Sequence, residues 1–137
     1  MNTREALKVL QRHSLVLMSR EEVKSLHHKE SFVCHLRPFQ SLELGHLTEI
    51  MRCLKILAPL VQEGDKQIAE ALWPIIKYGH FYALSNDSIL LKDGLISTEE
   101  QQAISHLIFC IGFAVTGLIS GCEPDEAFKP YNEQSIF

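Results

Sequence analysis

Residues 103–122, AISHLIFCIGFAVTGLISGC, carry no charged side chain. A helix of that length spans about 30 Å, close to the hydrocarbon thickness of a bilayer. Whatever this chain folds into must either surround that helix or place it in lipid. The flanks decide between the two. A membrane helix favours Lys or Arg on its cytosolic side and aromatic residues at the interfaces. Here the flanks are STEEQQ and EPDE, and His106 with Gly112, Gly117 and Gly121 weakens insertion. The sequence therefore predicts a helix at the centre of a soluble domain. A tail anchor through 103–122 is the weaker alternative.

Ser97 and Glu100 form a capping-box pattern that should start this helix at Thr98. Gly121 and Pro124 should stop it near residue 120. On a helical wheel, Ile104, Ile108, Ile111, Val115, Leu118 and Ile119 make a bulky ridge. Ala103, Cys110, Ala114, Gly117 and Gly121 make a second line of small residues, a seam against which another backbone can pack. Its partner is either another helix of the chain or a twin in a homodimer. Phe109 and Phe113 occupy a third side. A helix apolar all round is expected to be covered on every side.

The remaining segments read as further helices. Thr3 is a candidate cap for the first, with Ala6, Leu7, Val9 and Leu10 on its apolar side. Ser19 and Glu22 form another capping pattern, so a second helix should start at Arg20 and end before Pro38. The stretch 28–37 is compatible with helix or strand. Ser41 is a candidate cap for a third helix, through Leu47, Ile50, Met51, Leu54 and Leu57, interrupted by Pro59 and by Gly64-Asp65. A fourth should run from about Lys66, kinked or broken at Pro74. Residues 88–97 are compatible with a helical turn or a small hairpin. The expectation is an all-α, single-domain bundle of about five helices over 1–137, with the apolar helix near 98–120 central and an acidic tail over 123–137. Its length of 137 residues and 46% hydrophobic content suffice for one core without metal or disulfide staples.

Charge and cysteine usage bound the function classes. Residues 1–66 carry ten Lys/Arg and eight Asp/Glu, whereas residues 67–137 carry three and nine. The net charge of −4 argues against nucleic acid as a partner, while the asymmetry suits a protein partner or self-association. The four cysteines form no CxxC pair and read as reduced thiols. The first ten residues hold no apolar run of signal-peptide type, so the expected location is cytoplasmic.

Catalytic motifs are sparse. There is no phosphate-cradling glycine loop, no GxSxG and no HExxH. His27, Glu30 and Cys34 fall at spacings of three and four, as metal ligands can. The sharper pattern is Glu43-x-x-His46-x-x-Glu49, with Cys53 four residues on. Glu-x-x-His is half of a di-iron carboxylate signature, and the second copy is missing. Aromatics cluster instead. Trp73, Tyr78, Phe81 and Tyr82 lie within ten residues, and Trp73, Lys77 and His80 share a helical side opposite Leu72, Ile76 and Gly79. Tryptophan and tyrosine are enriched at recognition hot spots. The sequence thus reads as a small cytoplasmic, non-enzymatic interaction protein of the immunity-protein, antitoxin, adaptor or regulator type. Its expected partner-binding residues are Trp73, Lys77, Tyr78, His80 and Tyr82, and no cofactor is expected. The alternative is a metal-binding helical protein, of oxidoreductase or hydrolase type, using Glu43, His46 and Glu49 with one further histidine.

Overall fold

The computed structural model describes residues 1–16, 19–21, 30–36 and 41–133. All regular structure among them is helical, with no strand. Helix α1 (Thr3–Ser14) is capped by Asn2, one residue earlier than the sequence suggests. The Asn2 side chain accepts from the Glu5 N–H at 2.9 Å. Its buried positions, Ala6, Leu10 and His13, are four and three apart and define one stripe. The chain turns helical at Arg20, where the second helix is expected to start, whereas most of its course and the break at Pro38 lie outside the described residues. In the described part of 28–37 the chain is helical: α2 (Phe32–Leu36) is short and buried at every residue.

Helix α3 (Leu44–Ile56) starts three residues after the expected cap. Ser41 is left-handed, at φ 49°, a geometry incompatible with the extended backbone of an N-cap, and Glu43 takes that place. Pro59 sits in the first turn of α4 (Ala58–Gln62), where its missing N–H costs nothing. Gly64, at φ +77°, then closes a turn in which the Asp65 N–H reaches the Leu60 carbonyl. Helix α5 (Lys66–Gly79) is capped by Asp65 and continues through Pro74 without ending there. The loss of one backbone hydrogen bond is outweighed because Ile68, Ala71, Leu72, Ile75 and Gly79 are buried on both sides of the proline. A π-helical turn (His80–Leu84) follows directly. Residues 89–92 form a helical turn, α6 (Ile89–Lys92), and not a hairpin.

Helix α7 (Thr98–Ile119) begins with the expected capping box, both halves present. It ends on Gly121 at φ +94°, with the Cys122 N–H bonded to the Gly117 carbonyl and the Gly121 N–H to that of Leu118. Two short helices, α8 (Pro124–Ala127) and α9 (Lys129–Glu133), follow. Residues 124–133 are therefore folded onto the domain: Ala127 and Phe128 belong to the core, and Lys55 holds α9 through Asn132 and the ring of Tyr131.

Helix α7 is central, contacting α3, α4, α5, the π-turn, α8 and α9. It is covered on one side only. Ala103, Ile104, Leu107, Cys110, Ile111, Ala114 and Leu118 are buried, whereas Phe109 is 56% and Phe113 44% exposed. The expectation of full coverage is corrected: 39% of the helix's most apolar window is buried. The small-residue seam divides as well. Ala103, Cys110 and Ala114 face the core, while a Cβ on Gly117 would meet Ala127 of α8 at an ordinary 3.4 Å. The tightest crossing lies elsewhere. A Cβ on Gly79 would stand 3.3 Å from both Ile104 Cγ2 and Ile108 Cδ1, so glycine there sets the spacing of α5 and α7.

Three N-terminal segments meet at His13, whose side chain is wholly buried. Its Nδ1 accepts from the Phe32 N–H at 3.1 Å, which places the ring proton on Nε2, and Nε2 donates to Glu49 Oε1 at 2.7 Å. Arg12 reaches the same carboxylate at 2.6 Å and the Glu30 carbonyl at 2.8 Å. Burial, opposed by the Glu49 hydrogen bond, holds the His13 pKa down at about 4. Burial raises the Glu49 carboxyl, but the His13 hydrogen bond and the nearby cations bring it below its ordinary value.

Two outcomes follow from this packing. Gly79→Leu is expected to destabilise the fold by about 1–3 kcal/mol or more through overpacking, whereas Gly117→Ala should be close to neutral; thermal unfolding of the two variants checks the ranking. Because the folded pKa of His13 is depressed, its contribution is complete above its unfolded value of 6.5 and is lost as pH falls from there to about 4. A urea midpoint that stays flat down to about pH 4.5 would show that His13 accepts its proton within the fold.

Candidate functional site

Helix α5 places the aromatic stripe. Its buried line runs through Leu72, Ile75 and Gly79, so the residues about 100° around the helix are turned outward. Trp73 is 62% exposed, and Lys77 and His80 are exposed beside it. Phe81, which sequence reasoning assigned to the cluster but not to the surface set, is 56% exposed. The π-turn accounts for it: the wider turn keeps Ala83 in the core while His80 and Phe81 stay outside. Tyr78 and Tyr82 are half-buried and pack against the core from its edge. Their rings stand 6.0 Å apart, Phe81 meets Tyr82 edge-on at 5.0 Å, and the Lys77 ammonium lies 5.3 Å from the Tyr78 ring. The five expected residues thus divide into an outer set, Trp73, Lys77 and His80, and a supporting pair, Tyr78 and Tyr82.

A second apolar surface lies on the uncovered side of α7. Phe109, Gly112, Phe113 and Thr116, together with Gly117 and Ala127 at its floor, line an open groove of about 590 Å³. The rings of Phe109 and Phe113 lie along it, tilted by 40° with centroids 5.9 Å apart. The exposed Cys122 sits at its end. Sequence reasoning gave Phe109 and Phe113 a third side of the helix but expected a cover over them.

The residues of the metal pattern are brought near one another, with one exchange. Glu49 is engaged by Arg12 and His13 and does not join Glu43. In its place stands His35 of α2. Ligand atoms of His35, Glu43 and His46 lie within 4.8 Å of one another. The His46 ring is 5.0 Å from that of His35, edge-on, and 4.9 Å from that of His13. Cys53 is buried one turn beyond Glu49, and Cys34 is buried on α2. Of the other spacing pattern, His27 lies outside the described residues.

One Cys–His contact was missed. His106 and Cys110, one helical turn apart, bring Sγ to 3.4 Å from Nε2. Their i, i+4 spacing was the available signal. Burial pushes the Cys110 thiol up to about 11, so it is protonated near neutrality and is a poor nucleophile. Cys53 is raised to about 11 as well, by burial first and by Glu49 second. No protein-family model, curated protein or solved structure matches this chain.

Trp73 is the only tryptophan of the chain, so its emission reports this site alone. At 62% exposure its emission should be red-shifted and readily quenched by acrylamide. Trp73→Ala should cost well under the roughly 3–5 kcal/mol of a buried tryptophan. A blue-shifted, quencher-resistant signal would place the indole in the core.

Proposed function

We propose that this chain is a small, non-enzymatic interaction protein, acting in the cytoplasm as an adaptor, immunity protein, antitoxin or regulator does. Trp73, Lys77 and His80 form its contact surface, with Tyr78 and Tyr82 behind them. The observation that carries this reading is the exposure of Trp73. A large aromatic turned to solvent by a helix whose other side is well packed contributes nothing to its own core. An indole offers a large, rigid contact area, and a cation beside it steers association. The partner is accordingly a protein with an acidic surface around an apolar anchor point.

Site-specific photo-crosslinking in the cells the protein comes from tests this. A benzoylphenylalanine in place of Phe81 keeps Trp73 intact and should yield a discrete protein adduct. The same probe in place of Lys8, exposed on α1, should not. Trp73→Ala should suppress the adduct, corresponding to a loss of about 2 kcal/mol or more, roughly thirtyfold in affinity. Equal labelling at positions 81 and 8, or an adduct indifferent to Trp73→Ala, would remove the surface from function.

A further inference from the structure

The histidines that gather where α2 meets α3 are not equivalent in how their nitrogens are used. His13 uses both ring nitrogens, one towards Phe32 and one towards Glu49. His35 does not. Its Nδ1 lies 2.9 Å from the Ser41 carbonyl, which can only accept, so Nδ1 carries the proton and donates it. Nε2 is left with a bare lone pair. The residue is 5% exposed, and Nε2 is a buried polar atom without a hydrogen-bond partner among the described residues. A buried acceptor in that condition is unfavourable unless something arrives to use it.

Two further potential ligands lie close to this ring. His46 lies two residues into α3, and Glu43 is the N-cap residue of the same helix, three positions earlier. As N-cap, Glu43 makes no side-chain cap hydrogen bond, so its exposed carboxylate is not consumed by the helix end. The ligand atoms of the trio fall within 4.8 Å of one another. A tetrahedral shell with bonds of 2.0–2.2 Å would hold them about 3.3 Å apart.

We infer that His35 Nε2, His46 and the Glu43 carboxylate form a binding site for a divalent transition-metal ion of the zinc class. The chemistry of the set selects the ion. Two imidazoles and one carboxylate suit a borderline cation, and they are too poor in oxygen for calcium or magnesium. Hydrogen bonding of Nδ1–H to a backbone carbonyl is the arrangement that orients metal-ligating histidines and fixes Nε2 as the ligand atom. Three protein ligands leave a fourth position open, and the exposure of Glu43 puts that position on the solvent side. Glu49 and His13 brace α3 against α1 immediately behind the site, and neither binds the ion.

The full chain, stripped with chelator and dialysed, is titrated with Zn2+ against a chromophoric competitor and with Co2+ by visible absorption. One ion per chain is expected, with a rise in the unfolding temperature on saturation. Glu43→Gln should leave the fold intact, since that carboxylate caps nothing and is exposed, and should weaken Zn2+ at least about tenfold. His46→Gln should do the same and abolish the Co2+ absorption. A His27→Ala/His28→Ala variant, which removes the paired histidines elsewhere in the sequence, should bind as the parent does. The site is overturned by the absence of saturable binding, by binding indifferent to Glu43→Gln, or by binding lost with His27 and His28.

Discussion

The N-terminal half of this molecule depends on one buried imidazole. His13 sits on the inward stripe of α1, at the position where a leucine would extend the run Ala6, Leu10. Its two nitrogens tie α1 to the first residue of α2 and to the middle of α3, and its backbone carbonyl accepts from Ser31 Oγ. Helix α2 is a single short segment, too short to persist by its own hydrogen bonds. What fixes it is this node together with the burial of all its side chains, Phe32 above all. Placing α2 places Phe32, whose ring end lies 3.7 Å from where a Cβ of Gly79 would stand, against the crossing of α5 and α7. The polar node and the tight crossing are thus neighbours through one phenylalanine.

Helix α7 then divides the molecule into a packed side and an open one. The packed side is set by the small residues Ala103, Cys110 and Ala114 and by the absence of a side chain at Gly79. On the open side Phe109 and Phe113 stay exposed among the described residues. Helices α8 and α9 turn back at once, and Lys55 holds α9 towards α3. By length and composition α7 is apolar enough to cross a bilayer, yet its buried face is built from contacts with six other segments that a solitary anchor would not need.

What the sequence disclosed follows from the range of the forces involved. The start and end of α7 were legible because caps are local: Ser97, Glu100 and Gly121 act within a few residues of themselves. The outward turn of Trp73 was legible from the 3.6-residue period alone. Other features depend on distant partners. The Glu100 carboxylate completes the capping box with one oxygen and accepts from the Leu42 N–H with the other, a contact across 58 positions in the chain. Burial raises that carboxyl, but its bonds to Ser97 and Leu42 outweigh this and lower it overall. Ser41 failed as a cap because its backbone is left-handed, and no residue type announces that. The metal pattern was half legible. The spacing of Glu43 and His46 is local, whereas the replacement of Glu49 by His35 is decided by Arg12 and His13, which take Glu49 from α1.

The two kinds of buried histidine show why a core this small retains imidazoles at all. An apolar residue of similar volume avoids the desolvation of two ring nitrogens, so a buried histidine is stable only when both are used. His13 meets that condition within the chain, through one donor and one acceptor of opposite kind. It thereby acquires a single tautomer and a fixed place, and can serve as a strut. His35 meets half of it: Nδ1 donates to the Ser41 carbonyl, and the buried Nε2 has no hydrogen-bond partner among the described residues. A solvent-exposed ring would not carry that cost, and a purely structural ring would have been given a donor as His13 was. The same hydrogen bond that satisfies Nδ1 therefore poises Nε2 as a ligand, and it does so near His46 and Glu43, whose carboxylate makes no cap hydrogen bond to its own helix. Strut and ligand differ only in whether the second nitrogen finds its partner inside the chain or outside it.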